Sequence, residues 1–234
     1  MKIIKIFIVV LLVLLSLLIA TVVQAADRAT VVLIGGRVSD GESLTRYYEH
    51  IEESILPGEK KIVVIPERLW PFSEAAADVW QQIQKIGVDG NNGKIVIVGF
   101  SWGGLIARRI AAERPETVIA VVTVASPSGG FWACPKWIFR PGDEKSNVPL
   151  YVIAVYKEGL ERWFFRGLND GTVDIVSALD IGRKAADIVV LSGLDHMEAF
   201  ISEAVINTIN HWIGPYVHVD RLFASASIVK KVAH

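Results

Sequence analysis

Residues 99–103 place a serine between two glycines and read Gly-Phe-Ser-Trp-Gly. A β-branched run precedes this segment, and a stretch with helical character and many small residues follows it. In a sharp strand-to-helix turn, glycines avoid side-chain clashes, and the central serine is held strained with its hydroxyl accessible. The first N–H groups of the helix can then bind a developing oxyanion. The pattern predicts that Ser101 is an acyl-transfer nucleophile and that the backbone N–H of Trp102 is an oxyanion donor.

A serine nucleophile needs a base and an acid that orients the base. Of the five histidines, His196 follows a predicted strand and precedes a predicted helix, which places it at the same sheet edge as Ser101. The others lie in predicted helices or in the tail and are interpreted as surface or packing residues: His50, His211, His218 and His234. Asp170 and Asp174 compete for the role of the acid, whereas Asp195 directly precedes His196 and would have poor geometry.

Strand and helix patterns alternate along the chain. Strands are predicted at 29–34, 61–65, 94–100, 118–125, 150–156 and 187–191. Helices are predicted at 43–55, 73–86, 102–113 and 197–212, with Ser73 as the N-cap of the second and the residues after Pro215 as a tail. This alternation predicts an α/β fold with a mostly parallel sheet of about six strands and helices on both faces.

The chain resembles the α/β-hydrolase superfamily, and within it the small lipases and esterases. Residues 99–103 match the nucleophile elbow of that family, and residues 123–130 (Thr-Val-Ala-Ser-Pro-Ser-Gly-Gly) resemble a lipase segment. Residues 169–173 (Asn-Asp-Gly-Thr-Val) resemble the segment that carries the catalytic acid, and residues 193–196 (Gly-Leu-Asp-His) the loop that carries the catalytic histidine. The resemblance extends over about residues 29–213 and implies a minimal α/β-hydrolase fold.

The same resemblance implies a catalytic triad of Ser101, His196 and Asp170, and it favours Asp170 over Asp174 as the acid. Residues 32–37 (Val-Leu-Ile-Gly-Gly-Arg) resemble the first strand and oxyanion loop of lipases, which usually read His-Gly and then an apolar residue. Here Gly35 stands where that histidine would be. Arg37 stands at the position of the donor, and its backbone N–H is the implied second oxyanion donor.

The resemblance further implies hydrolysis of carboxylic esters through an acyl-enzyme, with no metal or organic cofactor. A thioesterase, an amidase or an acyltransferase on the same triad is an alternative. The unusual glycines before Arg37 suggest another: a catalytically silent binding protein that keeps the fold. The intact serine, aspartate and histidine argue against that alternative.

Aromatic residues follow two strand ends and indicate an apolar acyl-ester substrate, which could lie at a lipid surface. One group falls in a short insert at about 126–148 and the other precedes Asp170. The residues are Phe131, Trp132, Trp137, Phe139, Trp163, Phe164 and Phe165. The alternative is that these rings only pack in the core or under a lid.

The N-terminal residues 1–25 have the pattern of a targeting segment. Lys2 and Lys5 precede an uncharged run over residues 6–23, and Ala25 provides a small residue for cleavage. This pattern favours a signal peptide cleaved after Ala25, which would leave an exported hydrolase domain over residues 26–234. The alternative is that residues 6–23 stay in the membrane as an anchor, with the domain outside the cytoplasm.

Composition excludes several other classes of protein. The chain has 234 residues, which fits one domain, and a formal net charge of −1, which argues against a nucleic-acid-binding surface. Its single cysteine, Cys134, excludes a disulfide framework and a multi-cysteine metal site.

Overall fold

The computed structural model describes residues 29–36, 41–57, 59, 61–67, 71–87, 93–130, 141–160 and 167–217. Several sequence predictions concern residues outside these ranges. They are the targeting segment over 1–25, Arg37, Cys134, the aromatic residues of both segments, and the tail after residue 217.

One parallel sheet organises the described part of the chain, with the strand order β2-β1-β3-β4-β5-β6. The strands are β1 (Thr30–Ile34), β2 (Lys61–Val64), β3 (Ile95–Phe100), β4 (Val118–Val124), β5 (Leu150–Tyr156) and β6 (Asp187–Ser192). The predicted strands are confirmed, with differences of at most one residue at their ends. The central strands β1, β3, β4 and β5 could be predicted because they are buried on both faces and read as continuous apolar runs. The edge strands β2 and β6 are less buried, and their short β-branched runs gave the signal.

Six helices accompany these strands in the part of the chain that the structure describes. They are α1 (Gly41–Ser54), α2 (Phe72–Lys85), α3 (Trp102–Glu113), α4 (Ile175–Leu179), α5 (Glu198–Ile201) and α6 (Glu203–Val217). Alternate residues of β1 point into two separate apolar clusters, because successive side chains of a strand face opposite sides of the sheet. Val31 and Leu33 pack with α1 and α6, whereas Val32 and Ile34 pack with α2 and α3. The sheet is therefore the middle of three layers.

Some helix predictions are wrong in detail. The closing helix predicted at 197–212 is two helices, because the backbone of Ser202 is extended (φ −68°, ψ 126°). Helix α6 also continues past Pro215 to Val217. The N-cap of α2 is Pro71, whose carbonyl accepts from Ala75 N–H at 3.0 Å, so Ser73 lies inside the helix. Within the described ranges, every helix is too short or too polar to cross a bilayer.

A buried ion pair fixes the end of the insert to α3. Arg108 donates from Nε and Nη2 to the two carboxylate oxygens of Asp143 at 2.9 and 2.7 Å, and both side chains are almost fully buried. Arg183 approaches the same carboxylate at 3.2 Å. The carboxylate of Asp143 therefore compensates the positive charges of two guanidinium groups that would otherwise be buried without a negative partner.

Replacing Asp143 should destabilise the fold strongly. In Asp143→Ala the two arginines lose their shared partner, so we expect the free energy of unfolding to fall by about 3–5 kcal/mol. Urea unfolding monitored by circular dichroism measures this loss. The control, Glu113→Gln, removes only the negative charge that pairs with Arg109 at the surface and should cost about 0.5 kcal/mol or less. Equal effects of the two variants would contradict this view of the cluster.

Candidate active site

Ser101 lies in a strained turn between β3 and α3. Its backbone has φ 51° and ψ −122°, a conformation that residues other than glycine rarely adopt. Two hydrogen bonds hold this turn. Ser101 N–H donates to Val124 O at 2.8 Å, and Gly104 N–H donates to Ser101 O at 3.0 Å. The sequence-based prediction of a tight strand-to-helix turn is therefore correct.

The neighbouring glycines allow this turn to pack closely. A Cβ on Gly99 would lie 2.5 Å from Gly103 O, and a Cβ on Gly103 would lie 2.5 Å from Gly35 O. Both contacts are with backbone atoms that cannot rotate away. The glycines therefore let α3 begin directly against the ends of β1 and β3.

His196 connects the serine to an acid. Its Nε2 lies 3.0 Å from Ser101 Oγ, and its Nδ1 lies 2.7 Å from Asp170 Oδ2. All three side chains are buried. With Asp170 ionised, Nδ1 carries the proton and Nε2 accepts the hydrogen bond from the serine hydroxyl. The structure thus brings together the three residues that the sequence singled out.

The backbone around Asp170 holds one of its carboxylate oxygens. Oδ1 accepts hydrogen bonds from Thr172 N–H at 2.8 Å and Val173 N–H at 2.6 Å. The N–H of Gly171, the residue before Thr172, donates to Asn169 Oδ1 at 2.8 Å. Because these bonds occupy Oδ1, the carboxylate cannot rotate freely, and Oδ2 stays directed at the imidazole.

The loops that carry the acid and the base are joined through their backbones. His196 N–H donates to Asp170 O at 2.8 Å, and Lys157 N–H donates to Asn169 O at 3.0 Å. The Lys157 ammonium group, on the loop after β5, reaches across to Glu198 Oε1 at 2.8 Å. The separation of the acid and the base is therefore set by backbone contacts as well as by their own side chains.

The turn after His196 is closed by a reciprocal pair of hydrogen bonds. Asp195 Oδ1 accepts from Glu198 N–H at 2.9 Å, and Glu198 Oε2 accepts from Asp195 N–H at 2.8 Å. Burial alone would raise the pKa of Asp195, but hydrogen bonds from the Glu198 backbone and from Lys157 lower it below its usual value. The hydrogen bond to Glu198 in turn raises the pKa of Lys157. The turn is therefore held by charged partners.

The imidazole ring also packs against an aromatic stack. The rings of His196 and Phe200 form a T-shaped contact with centroids 5.8 Å apart, and Phe200 stacks on Phe100 at 5.0 Å. Phe100 and Phe200 are fully buried. This stack links the strand before Ser101 to the helix after His196.

The alternative residues have other positions in the structure. Asp174 caps α4, where its Oδ1 accepts from Ser177 N–H at 2.5 Å. Asp195 caps the turn described above. His50 and His211 are exposed on α1 and α6.

Of the two predicted oxyanion donors, the described residues include one. Trp102 is the first residue of α3, so its backbone N–H lies next to Ser101. Arg37 lies outside the described residues. Across the described ranges, no group of three or more histidine, cysteine, aspartate or glutamate side chains is arranged to hold a metal ion.

Sequence reasoning missed several residues that support the site. Asp195 and Glu198 have the spacing of a capping box, which was a usable signal. Three other residues gave no signal, because each contacts a different element of the fold. Lys157 pairs with Glu198, Phe200 stacks on Phe100, and Tyr48 accepts from Gly36 N–H.

Comparisons with known proteins agree with this architecture. A family model described as the alpha/beta hydrolase fold matches residues 53–149. Among solved structures, Est1E from Butyrivibrio proteoclasticus is 11% identical with a TM-score of 0.58, covering 82% of this chain and 89% of that chain. A lipase-esterase related protein from Clostridium acetobutylicum is 11% identical with a TM-score of 0.54, covering 81% and 94%. Naproxen esterase from Bacillus subtilis is 14% identical with a TM-score of 0.51, covering 81% and 84%.

Among curated proteins, no sequence matches this chain. Structural likeness at such low identity identifies an architecture only. The family model independently matches the region that contains the strained turn at Ser101. The parallel sheet, the strained serine after β3 and these matches together show that the chain has the alpha/beta hydrolase fold.

Proposed function

We propose that this protein is a serine hydrolase that cleaves carboxylic esters through an acyl-enzyme on Ser101. The observation that carries the proposal is the hydrogen-bonded series of Ser101, His196 and Asp170 at the carboxyl edge of the sheet, with separations of 3.0 and 2.7 Å. A strained nucleophile, a base within reach and an acid that orients the base are what acyl transfer requires.

In the first half of the reaction, Ser101 Oγ attacks the acyl carbonyl carbon while His196 Nε2 takes the hydroxyl proton. The tetrahedral oxyanion is stabilised by the backbone N–H of Trp102 and, in this proposal, that of Arg37. Asp170 stabilises the imidazolium that forms. The intermediate then collapses, the bond to the alcohol oxygen breaks, and the imidazolium returns its proton to the leaving alcohol.

In the second half, water replaces the alcohol. His196 takes a proton from a water molecule as its oxygen attacks the acyl carbon of the ester on Ser101. A second oxyanion forms in the same place. When it collapses, the bond to Ser101 Oγ breaks and the serine regains its proton, which releases a carboxylic acid.

The substrate we propose is an ester with an apolar acyl group, met in solution or at a lipid surface. The structural neighbours carry names such as naproxen esterase and lipase-esterase related protein, which supports an ester over a thioester or an amide. An acyltransferase would use the same acyl-enzyme with an alcohol in place of water. No organic cofactor or metal takes part in the steps proposed here.

We also propose that the domain works outside the cytoplasm, because residues 1–25 have the pattern of a targeting segment. Intact-mass measurement of the protein isolated from its producing cells checks this. Loss of residues 1–25 would identify an exported, cleaved form. A full-length chain in the membrane fraction would identify the anchored form, and a full-length chain in the cytoplasm would contradict the proposal.

Covalent labelling tests the nucleophile directly. A fluorophosphonate should form one adduct per molecule on Ser101, located by peptide mass spectrometry, because the probe needs both an activated serine and an oxyanion site. Ser101→Ala should give no adduct and no ester hydrolysis. The control, Ser202→Ala, changes a serine between α5 and α6 and should be labelled like the wild type. A folded wild type without adduct would favour the silent binding protein.

Replacing the acid with its amide should abolish most of the turnover. In Asp170→Asn the amide oxygen is expected to keep the two backbone hydrogen bonds, which turns the NH₂ group toward Nδ1 of His196. The imidazole must then carry its proton on Nε2, where it can no longer accept from Ser101. We expect kcat to fall by about 10⁴-fold, measured in ester hydrolysis assays.

The matched control is Asp174→Asn. Asparagine is as good an N-cap as aspartate, so α4 should persist and kcat should stay within about twofold of wild type. If Asp174→Asn lost activity and Asp170→Asn did not, the assignment of the acid would be wrong.

A further inference from the structure

The ring of Tyr48 fills the place that a side chain at residue 35 would take. Tyr48 lies on α1, and a Cβ on Gly35 would come within 2.6 Å of its Cζ and even closer to its hydroxyl. Gly35 and Tyr48 are therefore complementary in shape, since the missing side chain leaves the space that the tyrosine occupies.

The hydroxyl of Tyr48 is bound to the same stretch of backbone. Gly36 N–H donates to Tyr48 Oη at 3.0 Å, and the tyrosine is only 3% exposed. Burial raises the pKa of Tyr48 to about 12, although the hydrogen bond from Gly36 opposes this effect. The phenol is therefore neutral throughout the ordinary pH range, and its ring is held in the apolar cluster between the sheet, α1 and α6.

Gly36 in turn lies directly against the nucleophile. A Cβ on Gly36 would be 2.7 Å from Ser101 Cβ and 2.9 Å from Phe100 O. On its other side, Gly35 N–H donates to Val64 O at 3.0 Å. Two successive N–H groups are thus engaged before the chain reaches Arg37, whose N–H is the donor in the proposed function.

We propose that Tyr48 is a positioning residue for this site, because its hydroxyl fixes the peptide between Gly35 and Gly36 beside Ser101. Gly36 packs against Ser101, so rotation of this peptide would disturb the surroundings of the proposed nucleophile. Because Arg37 follows Gly36 in the sequence, on the proposed function such a rotation would also displace the N–H of Arg37. Tyr48 acts through the backbone and does not touch the substrate. This inference rests on the proposed function, since it concerns how the oxyanion site of the same reaction is held.

The test replaces the hydroxyl alone. Tyr48→Phe keeps the ring in place but removes the acceptor of Gly36 N–H, which frees the peptide to rotate. We expect both kcat for a soluble p-nitrophenyl ester and the fluorophosphonate labelling rate to fall by about 10-fold or more, since loss of a whole oxyanion donor costs about 10²–10³-fold. KM should stay within about twofold, because the effect falls on the transition state.

Tyr47→Phe is the matched control, since it makes the same chemical change at the preceding residue, which packs at the edge of the core. Its kcat should equal that of the wild type. A purely structural role for Tyr48 gives a different result: a lower melting temperature with unchanged kcat and labelling rate at 25 °C. That result would overturn the inference.

A second variant disrupts the same hydrogen bond without changing the tyrosine. Gly35→Ala leaves Tyr48 intact, but its methyl group must push the hydroxyl away from Gly36 N–H, so it should also slow labelling with little change in KM. If folded Gly35→Ala were labelled as fast as wild type, the inference would fail.

Absence of labelling in the wild type would instead refute the proposed function, and the inference with it. Normal labelling of both wild type and Tyr48→Phe would refute the inference alone.

Discussion

The left-handed backbone of Ser101 is the constraint on which the rest of the site depends. Such a conformation costs about 1–3 kcal/mol in a residue other than glycine, so it persists only where the surroundings enforce it. Here the hydrogen bond to Val124 and the close contact of α3 with the ends of β1 and β3 enforce it. The pattern of glycines follows from this demand, because at Gly99 and Gly103 a methyl group would collide with backbone.

The other two residues of the site are held beside Ser101 by contacts of a different kind. Asp170 and His196 lie on loops, which are ordinarily the variable parts of a fold. The main-chain hydrogen bond from His196 N–H to Asp170 O joins the two loops. Lys157 connects them again, because its N–H donates to Asn169 O and its ammonium group pairs with Glu198. The geometry of the acid and the base is thus fixed by contacts that do not depend on the identity of most loop side chains. This arrangement holds the site without a large supporting domain.

The sequence was informative wherever a structural demand falls on consecutive residues. The central strands of the sheet and the turn at Ser101, which the flanking glycines indicate, are of this kind, and both were predicted. The break at Ser202 was not, because serine suits both the helical and the extended backbone and the apolar spacing continues across it. Helix α4 has five residues, too few to show a period. The hydrogen bond between Gly36 and Tyr48 joins a loop to the middle of a helix, and nothing local indicates such a pairing.

The contact between the start of β1 and the end of α6 has a geometric consequence. Ala29 N–H donates to Tyr216 O at 3.4 Å, so the described chain enters and leaves at the amino ends of the parallel strands. Ser101 lies at the opposite edge, about one strand length or 17–20 Å away. A tether that joined the described domain at residue 29 or residue 217 would therefore hold it by the edge farthest from Ser101. The edge that carries Ser101 would then be the one opposite the points of attachment.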